Sequence, residues 1–170
     1  MNPVNKDVLA VLTAIVTVAS IFSTAYILLP TKSNHYVAIG LLNQDCLIGN
    51  YPDQVYNGDN ITYCIYVDNE LDHAALFQIR YKISYERRYL PSESEPSPLP
   101  AKGVWDVLLD KGRNITMRLT VPVELDQING TSERAALIFE LWQLDPNTGG
   151  WVYTGRSVYI YITVKESPLR

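Results

Sequence analysis

From Val8 to Leu29 the chain runs 22 residues without a charged side chain. A helix of roughly 20 such residues crosses about 30 Å of hydrocarbon, so the run is long enough to span a membrane. Lys6 and Asp7 bound it on one side, Pro30 and Lys32 on the other. An all-round apolar helix of this length needs a larger soluble protein than this one to bury it. The expected organisation is a transmembrane anchor over residues 1–30, a short linker over 31–35 and an extracytoplasmic domain over 36–165. A cleaved signal peptide is the alternative, because Ser23-Thr24-Ala25 offers small residues for cleavage. Against it, the apolar run continues past that point and exceeds the roughly 7–15 residues of a signal core. Thr13, Thr17, Ser20 and Thr24 recur at helical spacings of three and four. Such hydroxyls either pack on another membrane helix or bond back to their own.

Charge balance narrows the partners. With Lys6 and Asp7 set aside, the remainder keeps 13 of the 14 basic and 17 of the 18 acidic residues. A mildly acidic domain without a basic stripe argues against nucleic acid. Orientation follows from two other features. Asn60-Ile61-Thr62, Asn114-Ile115-Thr116 and Asn129-Gly130-Thr131 are glycosylation sequons, which makes Asn60, Asn114 and Asn129 candidate glycan sites. The only two cysteines, Cys46 and Cys64, are candidate disulfide partners outside the cytosol, two buried free thiols being the alternative. Together they favour a cytoplasmic N-terminus and a domain outside the membrane.

Beyond residue 35 the pattern is that of strands. Ile61, Tyr63, Ile65 and Val67 alternate with Thr62, Cys64 and Tyr66; Phe77, Ile79, Tyr81 and Ile83 alternate with Gln78, Arg80, Lys82 and Ser84. Period two with one apolar side marks a half-buried strand. Further strands are expected at 35–42, 104–109, 114–121, 134–144 and 151–164. Asn43–Asn60 is rich in turn residues, and Pro91–Pro100 (PSESEPSPLP) reads as an exposed, polyproline-like connection. Asp145–Gly150 is a dense turn cluster that makes the last two strands a hairpin. About seven short strands predict an all-β, immunoglobulin-like antiparallel sandwich preceded by one transmembrane α-helix.

No constellation for catalysis stands out. His35 and His73 lack a metal-ligand spacing, and there is no phosphate loop or nucleophile elbow. The run Asp68-Asn69-Glu70-Leu71-Asp72 suits either an acidic turn or a calcium ligand set; Asp106, Asp110 and Glu140 read as isolated. No catalytic residue, metal or cofactor is expected apart from N-linked glycans.

A binding surface has more support. If Ile61, Ile79, Ile115 and Leu137 face the core, Asn60 and Asn114 share the outward side of neighbouring strands. Folding the hairpin about Asn147–Thr148 sets Trp142 opposite Tyr153 and, without a bulge, Ile138 opposite Ser157. Ile138, Trp142, Tyr153, Tyr159 and Tyr161 then form an outward aromatic patch beside Glu140. Such patches dock partners, unless the Pro-rich loop or an extra strand covers them.

Two stretches resemble a known family. IFELWQLDPNTGGWVYTGRSVYIYITV and LLNQDCLIGNYPDQVYNGDNITYCIYVDNE are similar to motifs of an archaeal membrane-protein family designated domain of unknown function 1616, the likeness covering Ile39–Glu70 and Ile138–Val164. Members carry several membrane helices before this ectodomain, where this chain has one. The resemblance implies an archaeal cell-envelope location and no activity. The leading expectation is a non-catalytic accessory subunit or interaction module, anchored by a single span and bound to a protein partner or a second copy. A pilin-like filament subunit is the alternative, although Lys6 is followed by Asp7 where a pilin processing site has a small residue. A carbohydrate-binding surface protein is a third reading.

Overall fold

The alternation of Ile61–Val67 and Phe77–Ile83 is realised in two sheets that face each other through those residues. The computed structural model describes residues 3–28, 35–125 and 132–166. The chain divides into two units, Met1–Asn34 and His35–Arg170; most of the expected linker, 31–34, lies outside the described residues.

The first unit contains one helix, α1 (Pro3–Leu28). Pro3 heads it, where the missing N–H costs no helical bond. The window Asp7–Thr24 has a mean hydropathy of 1.9 and none of it is buried, so α1 is long and apolar enough to cross a membrane. Its hydroxyls turn inward on their own backbone: Thr13 donates to Leu9 O, Thr17 to Thr13 O, Ser20 to Val16 O and Thr24 to Ser20 O. Polar groups satisfied within the helix are what a hydrocarbon surrounding requires.

The second unit is a β-sandwich of eight strands among the described residues: β1 (Val37–Leu42), β2 (Gln54–Tyr56), β3 (Asn60–Asn69), β4 (Ala75–Ser84), β5 (Gly103–Leu109), β6 (Arg113–Pro122), β7 (Ser132–Leu144) and β8 (Trp151–Lys165). One sheet has the order β1-β3-β6, the other β2-β8-β7-β4-β5. Seven of the strands match the expected ones. The eighth, β2, was not legible in the turn-rich stretch 43–60: three residues are too few for a periodicity, and it pairs in parallel with the distant end of β8. Tyr63, Ile65 and Val67 from the small sheet meet Phe77, Ile79, Tyr81, Leu137, Phe139 and Leu141 from the large one. The rings of Tyr63 and Tyr81 both lie against Phe139, with centroids 6.1 and 5.3 Å away.

The disulfide is present between Cys46 and Cys64. Cys64 stands on the outward side of β3, opposite Leu42 in register, and the bond holds the loop after β1 against it. Asn43 organises the same loop, its Oδ1 accepting from the N–H groups of Asp45 and Leu47 and its Nδ2 donating to Gly49 O. At the other end of β3, Asn69 Nδ2 donates to His73 O, Leu109 O and Asp110 O. The run 68–72 is thus the end of a strand, with Asp68 and Asn69 buried, and among the described residues no three His, Cys, Asp or Glu side chains gather as metal ligands.

The core tyrosines tie stability to alkaline pH. Burial, with Tyr51 adding to it, pushes the Tyr63 hydroxyl up to about 12, and burial raises Tyr81 as well. A folded-state pKa above the unfolded value near 10 means that the unfolded chain gives up its proton first. Stability contributed by the neutral hydroxyls is full below pH 10 and declines from there up through about 12. Urea midpoints should hold steady from neutral pH to about 10 and fall above it. Tyr63→Phe, which keeps the ring, should lessen that fall; an unchanged slope would contradict the assignment.

Candidate interaction surfaces

The outer face of the large sheet is where sequence placed the aromatic patch, and its centre is filled by a buried ion pair. Lys82 on β4 and Glu140 on β7 lie 2.9 Å apart, with side chains 6% and 0% exposed. Glu140 was expected to stand isolated; instead each of its oxygens is used. Oε1 accepts from Ser97 N at 2.6 Å and Oε2 from Trp142 Nε1 at 3.0 Å. Lys82 Nζ donates to Ser97 O at 2.6 Å. A buried charge persists only when paired and hydrogen-bonded, and here the pairing also grips both backbone groups of Ser97.

That grip fastens the Pro-rich segment to the sheet at Ser97, while Ser92–Glu95, Pro98 and Pro100 stay exposed as expected for this connection. Ser97 is 3% exposed. Tyr153 Oη donates to Ser92 O. Gly155 (φ +74°) lies so close under the loop that a Cβ there would meet Glu93 O at 2.5 Å. Glycine is required at that point, because no other residue has both the backbone freedom and the space.

The hairpin register is shifted, and burial trims the patch. A bulge falls between Leu141 and Trp142: Leu141 pairs with Arg156 and Trp142 with Tyr153, leaving Thr154 and Gly155 over. Ile138 consequently faces Tyr159, not Ser157. Of the five patch residues, Ile138 is fully buried. Trp142 is half-buried, with the Arg80 guanidinium 3.8 Å from its ring centroid and Tyr153 packed beside it. Tyr153 is tied to the loop, and burial raises its hydroxyl pKa. Tyr159, 47% exposed, remains open and Tyr161 is half-buried; their rings pack edge to face at 5.8 Å, with the Arg134 guanidinium 4.3 Å from the Tyr161 ring. Asp106 is not isolated either, since its Oδ1 accepts from Gln78 Nε2.

The outer face of the small sheet is different in kind. β3 pairs with β6, so Asn60 and Asn114 do lie on neighbouring strands of one sheet. Both are exposed. Asn60 opposes Pro122 and Asn114 opposes Asp68, which separates them by about 27 Å along the strands. Asn129 falls outside the described residues. His35 and His73 are both exposed; His73 Nδ1 lies 2.7 Å from Asp72 Oδ1, and that hydrogen bond holds the Asp72 carboxyl below its usual range.

No protein-family model and no curated protein matches the chain. Among solved structures it is similar to the sporulation control protein Spo0M from Bacillus subtilis, at 12% identity and a TM-score of 0.45 over 78% of this chain and 51% of that one. It therefore spans about half of Spo0M. It is also similar to a chain of the complex between zinc 2-glycoprotein and prolactin inducible protein from human seminal plasma (12% identity, TM-score 0.38, 78% of this chain and 94% of that one). A third likeness is to the PapD-like domain 7 of human CEP192 (8% identity, TM-score 0.35, 78% and 87%). At these identities the likenesses concern the β-sandwich fold alone.

Proposed function

We propose that the chain is a single-pass membrane protein with a cytoplasmic N-terminus. Its extracytoplasmic sandwich acts without catalysis, as an accessory subunit or interaction module of a cell-envelope assembly. The observation that carries this reading is the contrast between the two halves of the large sheet's outer face. One half is closed by a loop fastened through Lys82 and Glu140. The other presents Tyr159 and Arg134 to solvent, with half-buried Tyr161 packed between them. Tyr and Arg are the side chains most often found as energetic anchors of protein interfaces. The disulfide suits an oxidising compartment, and the sequons at Asn60 and Asn114 lie on the opposite face, where glycans would leave the tyrosines clear.

The test is purification of the native protein in detergent, followed by comparison with Tyr159→Ser/Tyr161→Ser. Loss of two anchors should cost about 2 kcal/mol or more, enough to release a co-purifying protein while thermal stability barely changes. A partner that stays bound to the double variant rules this face out.

A further inference from the structure

The outer face of the small sheet holds one oxygen that the described residues do not serve. Asp68 on β3 is 9% exposed, and its buried Oδ1 meets no hydrogen-bond donor among them. The ion pairs among the described residues, His73–Asp72, Lys82–Glu140 and Arg88–Glu86, leave Asp68 out. A buried carboxylate oxygen is costly unless something donates to it. The other buried side-chain atom without a partner, Tyr63 Oη, lies in the core.

Register shows what stands beside the acid. Asp68 is opposite Asn114 on β6, and Tyr66 is opposite Thr116. Just beyond the strand, Val123 N donates to Asp59 O, so by period two the odd positions of β6 carry the ladder bonds to β3. The pairs 68–114 and 66–116 are of the other kind, with Cα atoms only about 4.5 Å apart and side chains close together. The two defining residues of the sequon Asn114-Ile115-Thr116 therefore flank Asp68 and Tyr66 on one face. On the far side of β3 the facing residues are small, Ala38 opposite Asp68 and Gly40 opposite Tyr66. Asn114 and Thr116 are exposed, Tyr66 is half-buried, and β6 is the last strand of its sheet. Burial, and after it the Asp68 carboxylate, raises the Tyr66 hydroxyl pKa, which sets that ring beside the acid.

We propose that Asn114 carries an N-linked glycan whose first sugar lies along this row and donates, from a hydroxyl or acetamido group, to Asp68 Oδ1, with the Tyr66 ring at its side. A hydrogen bond to an ionised acceptor is among the stronger ones, and a sugar brings several donors together with C–H faces that pack on an aromatic ring. The donor is a lipid-linked oligosaccharide. The Asn114 side-chain nitrogen forms a bond to C1 of the first sugar, and the C1–O bond to the lipid phosphate breaks. The phosphate leaves with the electron pair, and the nitrogen gives up one proton. Asn60 has no such setting, since it opposes Pro122 at the other end of β3. The inference rests on the extracytoplasmic placement proposed above, and adds which sequon matters to the fold and what its sugar touches.

The test uses the full chain purified in detergent from its native cells. Trypsin separates the sequons: cleavage after Arg113 and Arg118 isolates residues 114–118, Asn60 falls in 33–80 and Asn129 in 119–134. Peptide 114–118 should carry the added mass of a saccharide. Asp68→Val is then compared with and without the sugar, which Thr116→Ala removes. With the sugar present, Asp68→Val should lower Tm by about 5 °C more than it does in the Thr116→Ala background, because only there is a hydrogen bond to the carboxylate lost. Asn60→Gln should leave that difference unchanged. In the wild type, nuclear Overhauser effects should join sugar protons to the Tyr66 ring. Equal Tm shifts in the two backgrounds, or a sugar without contact to Tyr66, overturns the proposal. So does an unmodified 114–118 peptide. With a saccharide on 33–80 or 119–134 in that case, the extracytoplasmic placement stands and this inference alone fails; with none on any of the three, the placement loses the support of its sequons as well.

Discussion

Glu140→Ala is expected to destabilise the sandwich by about 3–5 kcal/mol, the cost of leaving a buried charge without its counter-ion. That is a large share of the roughly 5–15 kcal/mol available to a domain. The loss has three parts that act together. Lys82, in a site only 6% exposed, loses its counter-ion; Ser97 N loses its acceptor; Trp142 Nε1 loses another. Two of the three bind the Pro-rich loop or the tryptophan beneath it, so the variant should also be cut by protease within residues 91–100 at concentrations that spare the wild type. Lys82→Met/Glu140→Leu separates charge from fastening. Removing both ions together should restore most of the stability, because replacing a buried pair by apolar groups of similar size is often neutral or better. It should not restore protease resistance, since Ser97 would still lack both of its side-chain partners. A single variant with the melting temperature of the wild type would show that the pair is not buried in solution.

Sequence periodicity located seven strands, the disulfide, the hairpin and the shared sheet of Asn60 and Asn114, because each is a local pattern or a single pairing. What it could not locate depends on how distant segments meet. β2 has three residues and is defined only by contact with residues 163–165. The bulge at Thr154–Gly155 shifts one side of the hairpin by two positions, and Gly155 was its only local mark. Parity placed Lys82 and Glu140 on the outward face correctly, yet outward is not exposed once a loop lies on it. A hint was available. With Lys82 opposite Ile138 and Arg80 opposite Glu140, Lys82 and Glu140 are diagonal neighbours on adjacent strands, and a ten-residue segment with four prolines leaves β4 close by. Proline lowers the entropy lost when such a segment is fixed, which suits it to lie along a surface in one conformation. The loop also ties down Tyr153, Trp142 is packed between Arg80 and Tyr153, and Tyr159 is left as the exposed ring of the patch.

Removal of the disulfide should cost about 3 kcal/mol, the loop-closure entropy released to the unfolded chain by a cross-link that spans 18 positions. The native loop has its own support in the Asn43 bonds, so Cys46→Ser/Cys64→Ser should still fold, with the loss seen mainly as faster unfolding. Its consequence is not confined to the loop. The segment that leaves Cys46 carries Tyr51, which caps Leu41 O and packs its ring 6.5 Å from that of Tyr63. It then becomes β2, which joins the other sheet at β8. The crossover between the two sheets thus begins at a covalent bond on one and ends in a three-residue pairing on the other. Loosening the first should weaken the second, so amide exchange at Thr163, which bonds to Asp53 O, should quicken in the double variant, whereas exchange across the central pair β4–β7 should follow only the global loss. Equal denaturation midpoints for the oxidised protein and the serine variant would mean that the cross-link constrains nothing the fold does not already hold. Exchange at Thr163 that follows only the global loss would mean that β2 is anchored from β8 alone.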